Sequence, residues 1–390
     1  MLRMRYTHSL YLERVDIMIF KNVKVYTNNF NFEIKDVYVD NGKFTDTPCG
    51  EVMDCSGLMM WPGLIDIHTH GAVGCDNMDD GIDAIRAIAG FMAKKGVTTY
   101  IPTIMTHNKQ SLTDSCKNIA EADKKGTNGA KIGGIHMEGP YFSAKYKGAQ
   151  GEEFLRDPSI DEFNEIYEAS AGLLRMVSVA PERSGSIDFI KKASEKVKIA
   201  IGHTDADYET ATAAIAAGAS VLTHTFNGMR GLHHREPNAI GAALTSETVM
   251  CECICDGHHI HPAMVKLLFA AVGKDRFVII SDSLRSAGLA DGEYTLADGR
   301  RIFVKDALAR LEDGTIAGSS ANMFDNVVNT VKFGFSLEDA IRCASYNPAK
   351  AVGIEDKAGI IDIGRSADFL LVDEKYNLRS VYIDGVDIDM

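Results

Sequence analysis

The sequence predicts an α/β protein, a closed (β/α)8 barrel of the TIM type with a small β-sandwich-like domain assembled from both chain termini. Three observations carry this. From about residue 61 to 290, eight short β-branched runs alternate with helical patterns, the signature of repeated βα units and a parallel sheet. Several helical patterns close on a glycine, as a helix C-terminal stop should. Both flanks are strand-rich, with NG and DG turn signals.

In chain order, residues 1–17 fit neither pattern and are expected to be an N-terminal extension, either a loosely held arm or a segment ahead of a natural start at Met18. Residues 18–60 read as strands: IFKNVKVYTNN, FEIKDVYVDNGKFTD and EVMDCSG. The barrel runs follow: LIDIHTH, TTYIPTI, KIGGIHME, RMVSVAP, VKIAIGH, SVLTHTF, VMCECICDG and RFVIISDS. Between them lie helix candidates such as GIDAIRAIAGFMAKKG, SLTDSCKNIAEADKKG, DPSIDEFNEIYEASAG and DADYETATAAIAAG. Residues 321–350 return to helical patterning and should pack on the barrel. The tail from 359 is strand-rich again, so 18–60 and 359–390 are expected to form one small β domain beside a barrel over 61–358. An open doubly wound sheet is the weaker alternative, and no GxGxxG follows the first strand to support its dinucleotide-binding form.

The totals bound the function. A net charge of -13 opposes the broad basic surface that nucleic acid or an anionic membrane selects, and no apolar run approaches the ~18–20 residues of a membrane helix. The eight cysteines read as reduced thiols of a cytoplasmic protein. In CECIC, Cys251, Cys253 and Cys255 alternate onto one strand face as small hydrophobes.

Chemistry collects at the C-terminal ends of the strands. The first ends in His68 and His70, two apart and therefore on one face; the third in Glu138, the fifth in His203, the sixth in His224 and the eighth in Asp282. Taken singly, His203 or His224 is a hydrogen-bonded strand-end histidine, Glu138 a partner for a surface cation, and Asp282 a helix N-cap. Barrel enzymes, however, draw their sites from several strand ends of one face. Imidazoles with a carboxylate and an open position suit a hydrolytic zinc, iron or similar divalent centre, and a further carboxylate, here Asp282, can accept and return a proton.

PGLIDIHTHG, HMEGPY with KGAQ, IGHTDA, THTFNGM with HREPNAIGAA, DGHHI, SDS and IAGSS occur in this order. On these motifs the chain from Met18 onward resembles the amidohydrolase superfamily, and within it the N-acetylglucosamine-6-phosphate deacetylases. The resemblance implies hydrolysis of the acetamide of N-acetylglucosamine 6-phosphate to glucosamine 6-phosphate and acetate. It implies that Glu138, His203 and His224 hold the principal metal, that Asp282 is general base and then acid, and that His68 and His70 allow a second ion. One or two ions per chain are therefore expected, zinc first, with iron or manganese as alternatives. The implied substrate contacts are Ala149, Gln150, Asn227, Gly228, Arg235, His259, Ile316, Ala317 and Gly318.

Some of these also have a physical reading. Arg235 offers a planar fork suited to phosphate, and the backbone amides of Asn227 and Gly228 form a turn able to receive an anion. Gln150 stands where many relatives carry histidine; it can hydrogen-bond a substrate carbonyl but cannot become cationic. Arg285 is expected to shape the pocket mouth, and His233 and His234 read as exposed loop residues. The resemblance also implies a homodimer. The alternatives are the galactosamine epimer as substrate, a cyclic amidase, and a non-catalytic homologue. RMVSVAPE has no lysine to bridge two metals as cyclic amidases do, and a non-catalytic homologue would have lost ligands that this chain keeps.

Overall fold

The computed structural model describes residues 18–48, 50–296 and 298–388; the expected extension over 1–17 lies outside the described residues. Eight parallel strands build the barrel: Leu64–Thr69, Val97–Met105, Ile135–Glu138, Leu174–Val179, Lys198–Ile201, Ala219–Leu222, Met250–Ile254 and Phe277–Ile280. Hydrogen-bonded ladders join each to the next. The seam from the eighth strand back to the first has no continuous ladder and closes just past the strand ends. There the Asp282 amide donates to His68 O (2.9 Å), the His70 amide donates to Ser283 O (2.8 Å), and the buried Asp66 carboxylate accepts from the Ser281 hydroxyl and amide.

Seven helices occupy the crossovers: Ile82–Lys94, Lys109–Lys125, Ile160–Ala169, Ser186–Ala193, Tyr208–Ala217, Asn238–Thr245 and Pro262–Val272. Their starts follow local chemistry. The side chains of Asn108, Ser159 and Asp207 accept the amides of Ser111, Glu162 and Thr210, each satisfying a donor that the first helical turn leaves free. Three further helices, Met323–Lys332, Leu337–Ala344 and Tyr346–Val352, pack on the barrel as the pattern over 321–350 predicts. Asn326 Nδ2 and Asn347 Nδ2 donate to Ile280 O (3.0 Å) and Phe277 O (2.7 Å), so eighth-strand carbonyls at the imperfect seam find partners.

Strands from both ends of the chain share one sheet. Leu58–Pro62 pairs antiparallel with Phe369–Asp373, bringing Met18–Tyr26, Phe32–Asp40 and Lys43–Thr45 together with Leu378–Ile383 and Val386–Ile388. Its core includes Phe20, Val25, Phe44, Met60, Phe369 and Tyr382, with Phe369 stacked on Tyr382 at 4.5 Å. Lys131 fastens this sheet to the barrel, its ammonium lying 2.9 Å from Asp368 and 2.6 Å from Asp384. The sequence reading did not foresee a four-stranded meander after the barrel: Gly292–Thr295, Arg301–Lys305, Leu308–Leu311 and Ile316–Ser319. Its signal was present in RIFVKDALARL, an alternating run between two DG pairs.

The barrel interior explains where function collects. Ile101, Met176, Val221, Met250 and Ile280 belong to one buried apolar cluster. Two residues further along the same strand faces stand Thr103, Ser178, Thr223, Glu252 and Asp282, all buried. Strand alternation thus stacks an apolar plug beneath a polar layer. Cys251, Cys253 and Cys255 fall on the opposite face from Glu252 and belong to the core outside the barrel, as free thiols.

Candidate metal centre and active site

His68, His70, Glu138, His203, His224 and Asp282 converge at the C-terminal mouth of the barrel, each at most 8 % exposed. His203 Nε2 and His224 Nε2 lie 3.2 Å apart, and each is 3.1 Å from Glu138 Oε1. Glu138 Oε2 faces the other way, 3.3 Å from His70 Nε2. Asp282 Oδ1 lies 3.4 Å from His70 Nε2 and 3.7 Å from His68 Nε2. Glu138 therefore stands between two groups of donors, Oε2 toward His70 and Oε1 toward His203 and His224, with His68 Nε2 3.5 Å from Oε1 as well.

Three of these residues sit in the left-handed backbone region: His203 at φ 44°, His224 at φ 25° and Asp282 at φ 48°. Such conformations cost roughly 1–3 kcal/mol each for non-glycine residues and persist only where the surroundings impose them. Here the carbonyl of each residue is pinned. Ser143 N donates to His203 O (2.9 Å), Asn227 N to His224 O (2.9 Å) and Ser319 N to Asp282 O (2.9 Å). The turn bends each chain segment inward just beyond its strand, which aims the side chain at the barrel axis.

Outer hydrogen bonds set the tautomers. His203 Nδ1 meets Tyr146 O at 2.9 Å and His224 Nδ1 meets Asn227 O at 3.1 Å, so each donates there and keeps Nε2 free as a ligand. A tetrahedral ion with ~2.0–2.2 Å bonds separates its ligand atoms by roughly 3.4 Å, close to the 3.1–3.2 Å triangle of Glu138, His203 and His224. His68 Nε2 is buried and has no hydrogen-bond partner among the described residues, and His68, His70 and Asp282 form a second group able to hold an ion. The donor set, imidazole nitrogens with hard carboxylate oxygens, fits a divalent transition ion.

Electrostatics agree with that donor set. Burial alone would push the Asp282 carboxyl up, but the His68 and His70 imidazoles outweigh it and lower its pKa, so Asp282 is ionised at neutral pH. Burial also opposes a proton on His70, yet the Asp282 and Glu138 carboxylates hold its pKa up at about 9. Without an ion, protons on imidazole supply the positive charge that these carboxylates require.

The cleft above the cluster has a volume of about 250 Å³. Ala149, Gln150, Asn227, Gly228, His259, Ile316, Ala317 and Gly318 line it, as do Gly148, Met105, Leu284 and Thr315, which the sequence reading did not single out. Gly228 is required by close approach, since a Cβ there would lie 2.7 Å from His203 Nδ1. Ile316, Ala317 and Gly318 come from the last meander strand, and Gly318, at φ 149°, passes over Leu284. His259 is held from behind, Nδ1 to Asp256 Oδ2 at 2.7 Å, and its buried Nε2 has no hydrogen-bond partner among the described residues.

Other residues stand differently from expectation. Gln150 is already engaged at both ends: Oε1 accepts from Thr106 N (3.0 Å) and Nε2 donates to Glu138 Oε2 (2.7 Å). The Asn227 amide is given to His224 O, so of the two amides expected to receive an anion Gly228 is the one not so engaged. Arg235 lies on the exposed segment 231–236, its Nη1 2.7 Å from His234 Nε2, and does not line the cleft of its own chain. Arg285 does not line the cleft; its guanidinium pairs with the Asp79 carboxylate at 2.9 Å. Asp282 does not cap a helix; the segment after it enters the barrel seam. Glu252 was missed altogether, although a lone charge inside a buried strand is itself a signal.

A barrel whose C-terminal mouth gathers histidine and carboxylate side chains able to hold a metal, beside a cleft, defines a metal-dependent hydrolase of the amidohydrolase class. The chain belongs to the amidohydrolase family, whose model matches residues 59–387. It is 35% identical over 328 residues to the N-acetylglucosamine-6-phosphate deacetylase of Vibrio furnissii, covering 84% of this chain and 82% of that one. It is 36% identical over 329 residues to the N-acetylgalactosamine-6-phosphate deacetylase of Escherichia coli O157:H7, covering 84% and 87%. Among solved structures, a mutant N-acetyl-D-glucosamine-6-phosphate deacetylase from Mycobacterium smegmatis, in complex with N-acetyl-D-glucosamine-6-phosphate, superposes with a TM-score of 0.90 at 29% identity, covering 96% of this chain and 100% of that one.

Proposed function

We propose that this protein removes the acetyl group from N-acetylglucosamine 6-phosphate, giving glucosamine 6-phosphate and acetate. The observation that carries the reading is the convergence of four imidazoles with Glu138 and Asp282 beneath a cleft of substrate size, in a chain whose relatives bear that name. Glu138, His203 and His224 would hold the principal divalent ion, with zinc the first choice and iron or manganese alternatives; His68, His70 and Asp282 would hold a second. Such an ion polarises a carbonyl oxygen and acidifies water.

The protein's own groups do the rest. Asp282, ionised and at the cleft floor, takes a proton from the attacking water and returns it to the departing amine nitrogen, so one group serves as base and then acid. His259, oriented by Asp256, presents Nε2 to the sugar. Gln150 holds Glu138 and borders the acetamide. Ile316, Ala317 and Gly318 wall the ring.

The phosphate needs cations, and none of the described residues lining the cleft is lysine or arginine. We assign Arg235 to the phosphate of a neighbouring cleft in a homodimer, with the Gly228 amide as the contact from the same chain. No described helix is long and apolar enough to cross a membrane; the free thiols suit the reducing cytoplasm that we propose for it. The galactosamine epimer is the second reading, favoured by the similarity to its deacetylase.

The test is acetate release by protein reconstituted with zinc, iron(II) or manganese. N-acetylglucosamine 6-phosphate, its galactosamine epimer and unphosphorylated N-acetylglucosamine are compared. Metal-dependent release from the first, with little from the plain sugar, is expected. Release from none of them, despite bound metal, would overturn the reading.

A further inference from the structure

Glu252 lies in the strand Met250–Ile254 and is fully buried. Its carboxylate turns into the barrel between two cysteines that face out. A buried carboxylate is costly unless it is partnered, and among the described residues no lysine or arginine pairs with it. Its partners belong to the metal centre instead. Oε2 lies 3.1 Å from His68 Nδ1 and accepts the His224 backbone amide at 3.0 Å. Oε1 has no hydrogen-bond partner among the described residues.

The four histidines are thus treated unequally. The Nδ1 atoms of His203 and His224 meet neutral backbone carbonyls, and His70 Nδ1 is buried with no hydrogen-bond partner among the described residues. Only His68 has a carboxylate behind it. A carbonyl fixes tautomer and direction; a carboxylate does both and also makes the imidazole a stronger donor. With Nδ1 tied to Glu252, the ring directs Nε2 into the centre, 3.5 Å from Glu138 Oε1 and 3.7 Å from Asp282 Oδ1.

We infer that Glu252 is a positioning residue for the second ion position, that of His68, His70 and Asp282, acting through the His68 ring. The inference rests on the reading of this cluster as a metal centre. His68 also stands within reach of Glu138 and His224, but the two imidazoles of the Glu138, His203 and His224 position are backed by carbonyls, and there Glu252 touches only the His224 backbone amide. Loss of its charge should therefore weaken one ion and spare the other.

The experiment counts and titrates zinc on full-length protein, using metal analysis after dialysis and calorimetric titration of chelator-treated protein. Wild type, Glu252→Gln and Glu252→Leu are compared. Wild type is expected to bind two ions. Glu252→Gln keeps the shape and an acceptor oxygen, and should bind the second ion about 10- to 100-fold more weakly. Glu252→Leu should retain one ion. Glu252→Gln, which can still accept the His224 amide, should hold the first ion as wild type does, a split that a merely structural role would not produce. Should the leucine variant fail to fold, the isosteric glutamine variant still decides. Equal weakening of both ions, or two ions held normally by both variants, would overturn the inference. So would a wild type that takes up one ion, though the deacetylase reading would stand; a wild type that binds none would overturn both.

Discussion

Asp282 and His68 meet twice across the barrel seam: the Asp282 amide donates to His68 O at 2.9 Å, and Asp282 Oδ1 lies 3.7 Å from His68 Nε2. The contact that closes the barrel is also the contact that sets the candidate base beside the candidate ligands. Asn at 282 keeps the backbone bond and the shape but cannot take a proton. Asp282→Asn is expected to keep the ion of the Glu138, His203 and His224 position and to lower turnover on the order of 10²- to 10⁴-fold. Metal analysis and acetate release on the same preparation check it, and substantial residual activity would remove Asp282 from the role of base.

Arg235 is exposed and, among the described residues, is held only by its neighbouring histidines, so its removal should not disturb the fold. Arg235→Ala is expected to raise KM for the phosphorylated sugar about tenfold or more, in keeping with a charge-assisted hydrogen bond of ~1.5–3 kcal/mol. Hydrolysis of the unphosphorylated sugar should be little changed. An equal effect on both substrates would argue against a phosphate contact.

Stability without metal should depend on pH in a defined window. Burial disfavours the charged form of His70, but Asp282 and Glu138 raise its folded-state pKa from 6.5 to about 9. A raised pKa of this kind contributes stability fully present below pH 6.5 and lost as pH climbs through about 9, of order 3 kcal/mol at ~1.4 kcal/mol per unit. Asp66 and Asp76, which burial pushes up to about 6, titrate below that window. Chelator-treated protein is therefore expected to lose Tm between pH 6.5 and 9, and protein loaded with metal to lose much less, because an ion replaces the proton. A flat or rising Tm for the chelated protein would contradict this.

How much of this was legible in the chain can be said residue by residue. The first strand's His68 and His70, and the strand-end positions of Glu138, His203, His224 and Asp282, could be read because period-2 alternation and the βα rhythm are local properties. So could the helices over 321–350 and the burial of the CECIC thiols. The meander over 292–319 was legible in its alternation and DG turns, but was passed over beside the stronger barrel pattern. Glu252 was hidden because its partners stand 184 and 28 residues away, and nothing local to CECIC says which face its carboxylate meets.

The sequence by itself determined the elements, their order and the end of the barrel at which chemistry gathers, because hydrophobic period, capping and strand-end position are set within a few residues. Only the tertiary structure decided the geometry of the centre. The left-handed turns at His203, His224 and Asp282 are unfavourable in isolation and are held by long-range bonds, Ser143 N to His203 O, His224 N to Glu252 Oε2 and Ser319 N to Asp282 O. The two faces of Glu138, the engagement of Gln150 and the outward place of Arg235 follow likewise from contacts between distant segments. A strand can offer a side chain to a barrel, but the distances between ligands are fixed only when the barrel closes.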